Sequence, residues 1–296
     1  MKNLFQHKKP IYLMDICTIS VIKDRDNIPS RTDEKKKKRL NQLIELAKSK
    51  NNRFSFLLAI IEKATDHTNQ LKVGAANREF QRDYDQIVPF LGRENIIENK
   101  KLLKILVNNI YDSEYDLSER GELSIVPSLN LLNYYNELNV TDTPSKKDRL
   151  PLVEKIVAKG NELKLEKGYP TTVMCVAALY GCADAVNVLK LKKSGKDFNP
   201  SNRLGDIMSF YRFARAKLKV KEVYKDVPVL FRTEDEHLER MHQYITTEAR
   251  TSLNGDVHMT TSILAPEKLF PNLYKNDTCI DEDEKNKLFE MLSFKI

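Results

Sequence analysis

The stretch Pro10–Ile22, "PIYLMDICTISVI", decides how this chain is read. Four apolar residues, Ile11 to Met14, run without a break into an acid, Asp15, and the apolar pattern then resumes. An unbroken apolar run of this length fits a strand buried on both faces, as in a parallel sheet. A carboxylate at the tip of such a strand needs a partner, because an unpaired buried charge costs several kcal/mol or takes up a proton.

Working outward, the same arrangement recurs near the other end of the chain. In "VPVLFRTEDEHLE" a short apolar strand, Val229–Phe231, ends at Thr233, Glu234 and Asp235. Two further acids follow extended or loop segments. In "RFSFLLAIIEKA" a strand-like piece, Phe54–Phe56, runs into a helix that carries Glu62 near its start. In "NRLGDIMSFYRFARAK" the spacing of Leu204, Ile207, Met208, Tyr211 and Ala214 predicts an amphipathic helix with Asp206 in its first turn. In open parallel sheets the ligand crevice lies beyond the carboxyl ends of the strands, so four acids from four places in sequence could meet there. Carboxylates that close repel one another unless a cation lies between them. Hard oxygen ligands select Mg²⁺ or Mn²⁺, and the chemistry of such a site is phosphodiester hydrolysis. For any one of these acids a helix cap or a surface charge is the structural alternative.

These four segments, in this order, resemble the PIN-domain nucleases, the family best known from the toxin ribonucleases of toxin–antitoxin pairs. Carried over position by position, the resemblance assigns Asp15, Glu62, Asp206 and Asp235 as catalytic, metal-binding acids, with Asn202 and Thr233 as supporting polar residues. Asp184 in "YGCADAVNVL" competes for the third place, and Glu234 could supply the last ligand. The resemblance implies an α/β fold, a PIN-like α/β/α sandwich with a central parallel sheet. It also implies Mg²⁺- or Mn²⁺-dependent cleavage of RNA, with tRNA among the candidate substrates. An inhibitory or activating protein partner, homo-oligomer formation and a role as a toxin or phage-defence effector are expectations of the same kind. A non-catalytic RNA-binding or protein-interaction module on the same fold is the alternative. Glu62 and Asp206 are 144 residues apart, which calls for a large helical insertion. The expected division is residues 1–72 and 166–245 as the nuclease core, 73–165 as the insertion and 246–296 as a C-terminal extension.

Composition narrows the classes further. Hydrophobic residues make up 41% and charged residues 31%, which fits a soluble globular protein. A net charge of +7 suits a polyanionic partner. The run Lys35–Arg39 reads either as a solvated helix start or as a phosphate-contacting patch. Four cysteines, Cys17, Cys175, Cys182 and Cys279, show no CxxC pair and read as reduced thiols. Cys175 and Cys182 are spaced to share one face of a helix. Asp15 interrupts the early apolar run, so no signal peptide is expected, and the longest apolar stretch is too short to span a bilayer. The expectation is a cytoplasmic protein without membrane contact. There is no phosphate loop, no GxSxG and no HExxH, and the five histidines form no catalytic motif. The "DEDE" run at 281–284 reads as a solvated helix cap.

Overall fold

The structure, a computed structural model, describes residues 9–66, 71–111, 125–140, 142–191, 198–252, 254 and 257–294, without the side chain of Asn202. His7 and His67 lie outside the described residues. The chain opens with β1 (Ile11–Met14), α1 (Ile16–Lys23), α2 (Glu34–Lys48), β2 (Arg53–Ser55), α3 (Leu57–Ala64), α4 (Val73–Leu91) and α5 (Lys100–Tyr111). It continues with α6 (Ile125–Glu137), α7 (Lys146–Glu162), α8 (Pro170–Leu179), α9 (Ala183–Leu189), α10 (Pro200–Val223) and β3 (Val229–Arg232). The last elements are α11 (Glu236–Tyr244), β4 (Ile245–Thr251), β5 (Val257–Ile263), α12 (Pro266–Leu269), β6 (Tyr274–Lys275), β7 (Thr278–Cys279) and α13 (Glu282–Met291). They form two compact units, one of residues 1–115 and 212–235, the other of residues 116–211 and 236–296.

The first unit is mixed α/β, built on a three-stranded parallel sheet in the order β2-β1-β3. The central strand is "IYLM", as its unbroken apolar run requires. Ile11 and Leu13 pack with Leu58, Ala216, Val220 and Val229. Tyr12 and Met14, on the opposite face by the period of two, pack with Phe54, Phe56, Phe80, Tyr84 and Ile87. Helices therefore cover both faces of β1. Residues 73–111, grouped by their sequence with the insertion, contribute Ala76, Phe80, Leu91, Leu103 and Val107 to that second cluster and belong to the strand-bearing unit. A short extended segment also lines the outer edge of β2, where the Ile97 amide donates to the Phe54 carbonyl at 2.9 Å. Glu98 fixes it there, accepting from Ser55 Oγ at 2.5 Å and the Phe56 amide at 3.2 Å. Burial raises the Glu98 carboxyl above the ordinary range.

The second unit centres on α8, every residue of which is buried, as a helix apolar on all sides must be. Cys175 lies within it, but Cys182 does not extend the same helix. Gly181 adopts φ +86° and breaks the pattern, so Cys182 caps α9 instead, and both thiols are buried. The Asp281 side chain accepts from the Glu284 amide at 2.9 Å, the expected cap of α13. Glu284 itself is not solvated: it is buried, accepts from Tyr180 Oη at 2.9 Å and lies 3.3 Å from Arg149 Nε. β4 and β5 form an antiparallel hairpin in register from Ile245↔Ile263 to Thr251↔Val257. Among the described residues no helix is long and apolar enough to cross a membrane.

Candidate acidic site at the strand ends

Asp15 leaves the carboxyl end of β1 in extended conformation and becomes the N-cap of α1, its Oδ1 accepting from the Thr18 amide at 2.7 Å. The first amide of α1, that of Ile16, donates instead to Glu62 Oε2 at 3.0 Å. Two carboxylates from separate elements thus converge on one helix start. A helix start presents unpaired N–H groups and the positive end of the helix dipole, so it is a favourable place for negative charge.

The β3 end completes the surroundings of Asp15. The Asp15 amide extends the pairing of β1 with β3, donating to the Arg232 carbonyl at 3.1 Å. The same carbonyl accepts from Thr18 Oγ1 at 3.0 Å. The fully buried Thr233 hydroxyl hydrogen-bonds the Asp15 carboxyl and accepts from the Asp235 amide at 3.1 Å. Asp235 is thereby tied to the atom that contacts Asp15. Burial first, and the neighbouring Glu62 charge second, raise the Asp15 carboxyl to about 8, against the hydrogen bonds from Thr233 and Thr18.

Not every acid expected by its sequence stands where its local pattern placed it. Glu62 lies sixth in the eight-residue α3, in its last turn rather than near its start. It reaches Asp15 because α3 packs along β1 and α1. Asp206 lies seventh in α10, not in the first turn. The helix begins at Pro200, whose missing N–H and fixed φ suit that position, and its first turn holds no acid. Asp206 belongs to the second unit, whereas Asp15, Glu62, Thr233 and Asp235 belong to the first. The side chain of Asn202 lies outside the described residues. Asp184, the competing third acid, is held in the second unit by four contacts. Its Oδ1 lies 2.8 Å from His237 Nδ1 and accepts from Arg240 Nε at 2.9 Å and Nη2 at 2.7 Å, while Oδ2 accepts from Tyr244 Oη at 2.8 Å. Burial pushes this carboxyl up, but Arg240, His237 and Tyr244 together hold it below the ordinary range. His242 is a packing residue, stacked on Phe210 at 3.9 Å with Ser209 Oγ 2.8 Å from Nε2. Burial lowers it to about 3, so it stays neutral.

Glu234 is a structural anchor. Its side chain is 2% exposed and accepts from Arg232 Nε at 2.8 Å, Arg232 Nη2 at 2.9 Å and Arg39 Nε at 3.1 Å. Burial nevertheless raises its carboxyl above the ordinary range, against the pull of both guanidiniums. Arg39 Nη2 also donates to the Thr233 carbonyl, so this residue of the basic run turns inward while Lys35, Lys36 and Lys38 stay exposed. Arg39 was not identifiable in advance, because its partner lies 195 residues away; Arg232, the last residue of β3, bonds Glu234 only two residues on. The cap that Asp15 forms on α1 was not expected from the sequence, where Asp15 stood as a strand-tip ligand; its donor is the Thr18 backbone amide, which leaves no side-chain signal.

Among the described residues no group of three or more His, Cys, Asp or Glu side chains is gathered to hold a metal ion. The donor set that is assembled is the pair Asp15 and Glu62. Mg²⁺ is commonly held by one or two carboxylates with water and substrate phosphate filling the remaining positions, and the pair fits that mode. No protein-family model matches the chain, no curated protein matches it and no solved structure matches it, so the acidic pair itself is the ground for a functional reading.

Proposed function

We propose that this protein is a Mg²⁺- or Mn²⁺-dependent nuclease acting on RNA, with a PIN-like sandwich as its catalytic core. The observation that carries the reading is the convergence of Asp15 and Glu62 on the start of α1, at the carboxyl end of the central strand. In this reading Asp15 and Glu62 hold the cation, Thr233 orients Asp15, and Asp235 adds negative charge from the end of β3. A bound cation would neutralise charge on the scissile phosphate and acidify a bound water. Asp206 remains part of the proposal through the family resemblance alone.

The test is to incubate the protein with total RNA and with tRNA in Mn²⁺, in Mg²⁺ and in EDTA. Cleavage is expected in either metal and not in EDTA, falling at least about a hundredfold in Asp15→Asn. Equal cleavage by wild type and Asp15→Asn would sink the assignment. The second reading, a non-catalytic RNA-binding or protein-interaction module, draws on a specific observation: both acids already cap α1, a structural role sufficient to retain them. Cation-independent RNA binding without cleavage is its signature.

A further inference from the structure

The first turn of α2 carries lysines on a side of the helix that packing does not explain. At about 100° per residue, Lys35 and Lys36 lie within about 60° of the direction of Arg39. Lys36 is nearly in line with Leu43, seven residues on. Leu43 and Arg39 are buried, yet Lys35 and Lys36 are exposed, so the helix start overhangs the edge of its packed face. Lys37, on the opposite side, pairs with Glu34 at 2.8 Å. Among the described residues neither Lys35 nor Lys36 makes an ion pair.

Arg39, one turn along the same face, bonds the carbonyl of Thr233 and the carboxylate of Glu234. Thr233 in turn bonds Asp15. Lys35 and Lys36 therefore lie, along α2, about one helical turn from the arginine that bonds Thr233 and Glu234. A substrate that needs both a cation between carboxylates and further positive charge beside it is a polyanion whose charges repeat along a chain.

We propose that Lys35 and Lys36 are phosphate-binding residues that seat an RNA backbone beside the Asp15–Glu62 pair. This rests on the reading of the substrate as RNA and extends it to a surface. The lysines meet phosphate charge and not base edges, so they confer affinity without sequence preference.

The test measures binding of a fluorescent single-stranded RNA 20-mer by anisotropy, in EDTA so that no cleavage intervenes. Lys35→Gln/Lys36→Gln is expected to weaken binding about tenfold at low salt. It should also flatten the slope of log Kd against log salt by about 1.4, two phosphate contacts' worth for a single strand. Lys101→Gln/Lys104→Gln, which removes the same charge from exposed positions on α5, is expected to change affinity less than threefold. Equal losses in the two double variants would overturn the proposal in favour of diffuse net charge. Binding of polyglutamate but not of RNA would overturn it in favour of an acidic protein partner.

Two outcomes separate this proposal from the nuclease reading. Lysine-dependent RNA binding without Mn²⁺-dependent cleavage leaves the surface standing and removes the enzyme. Cleavage whose KM is unchanged in Lys35→Gln/Lys36→Gln leaves the enzyme standing and removes the surface. The Mn²⁺-induced rise in melting temperature should be the same in that double variant as in wild type, which excludes a merely misfolded site.

Discussion

At the scale of the residue, Asp15 combines hydrogen bonds from Thr18 and Thr233 with a carboxyl that resists ionisation. Its folded-state pKa of about 8 lies above the 3.8 of an ordinary aspartate. Between those values the folded state holds a proton that the unfolded state has lost. In EDTA, Asp15 therefore contributes stability that is fully present below about 4 and is lost as pH rises through about 8. Asn cannot ionise, so the difference between Asp15→Asn and wild type should shift in the variant's favour across that window, by on the order of a few kcal/mol. Urea unfolding at pH 5 and pH 8.5 checks this, and a difference independent of pH would refute the account. The need for a partner was readable from "IYLMD" alone. Glu62 and Thr233 were named for the same site by the family resemblance, and the folded chain brings both to the end of β1. The Arg39–Glu234 bond shows the limit most directly, since a buried guanidinium and an exposed lysine look alike in a basic run.

At the scale of the element, the three strands of the parallel sheet and several helices were legible from their apolar residues. β1, β2 and β3 were expected within a residue or two of where they stand. The ends of the helices were less visible. α10 starts before its apolar pattern does, and α3 ends soon after Glu62. The β4–β5 hairpin escaped notice because its strands are threonine-rich with exposed alternate positions, carrying little apolar signal. Two glycines fix turns in the second unit, and they differ in a testable way. A Cβ on Gly168 (φ +74°) would meet the Leu292 carbonyl oxygen at 2.8 Å, whereas on Gly181 (φ +86°) it would meet the Asn272 side-chain amide at 3.0 Å. Both alanine variants strain a left-handed residue, at about 1 kcal/mol or more. Backbone cannot retreat as a side chain can, so Gly168→Ala should be the more destabilising by about 1 kcal/mol or more. Chemical denaturation ranks the two, and the opposite order would refute the reasoning.

At the scale of the whole molecule, the division of the chain was the least legible feature. No composition change marks residue 115, 211 or 235, and α10 passes from one unit into the other without interruption. The first unit closes only when residues 212–235 are supplied. A chain truncated after Tyr211 lacks β3 and the Ala216–Val220 side of the sheet's core. The amides of Ile11 and Asp15, which donate to Pro228 at 2.8 Å and Arg232 at 3.1 Å, would lose their acceptors. Hydrogen exchange should show both strongly protected in the full chain and unprotected in the truncated one. Native protection after truncation would mean that β1 and β2 suffice.

The β1–β3 pairing also sets a schedule for a newborn chain. Met14 is in register with Arg232, 218 residues later. At roughly 5–20 residues per second, a ribosome needs about 10–40 s to travel that far. Throughout this interval the most apolar strand of the sheet has one edge bare, its amide and carbonyl groups open to any passing strand. Burial on both faces makes β1 a sound centre for the finished sheet and the segment most in need of a chaperone's cover while the protein is still being made.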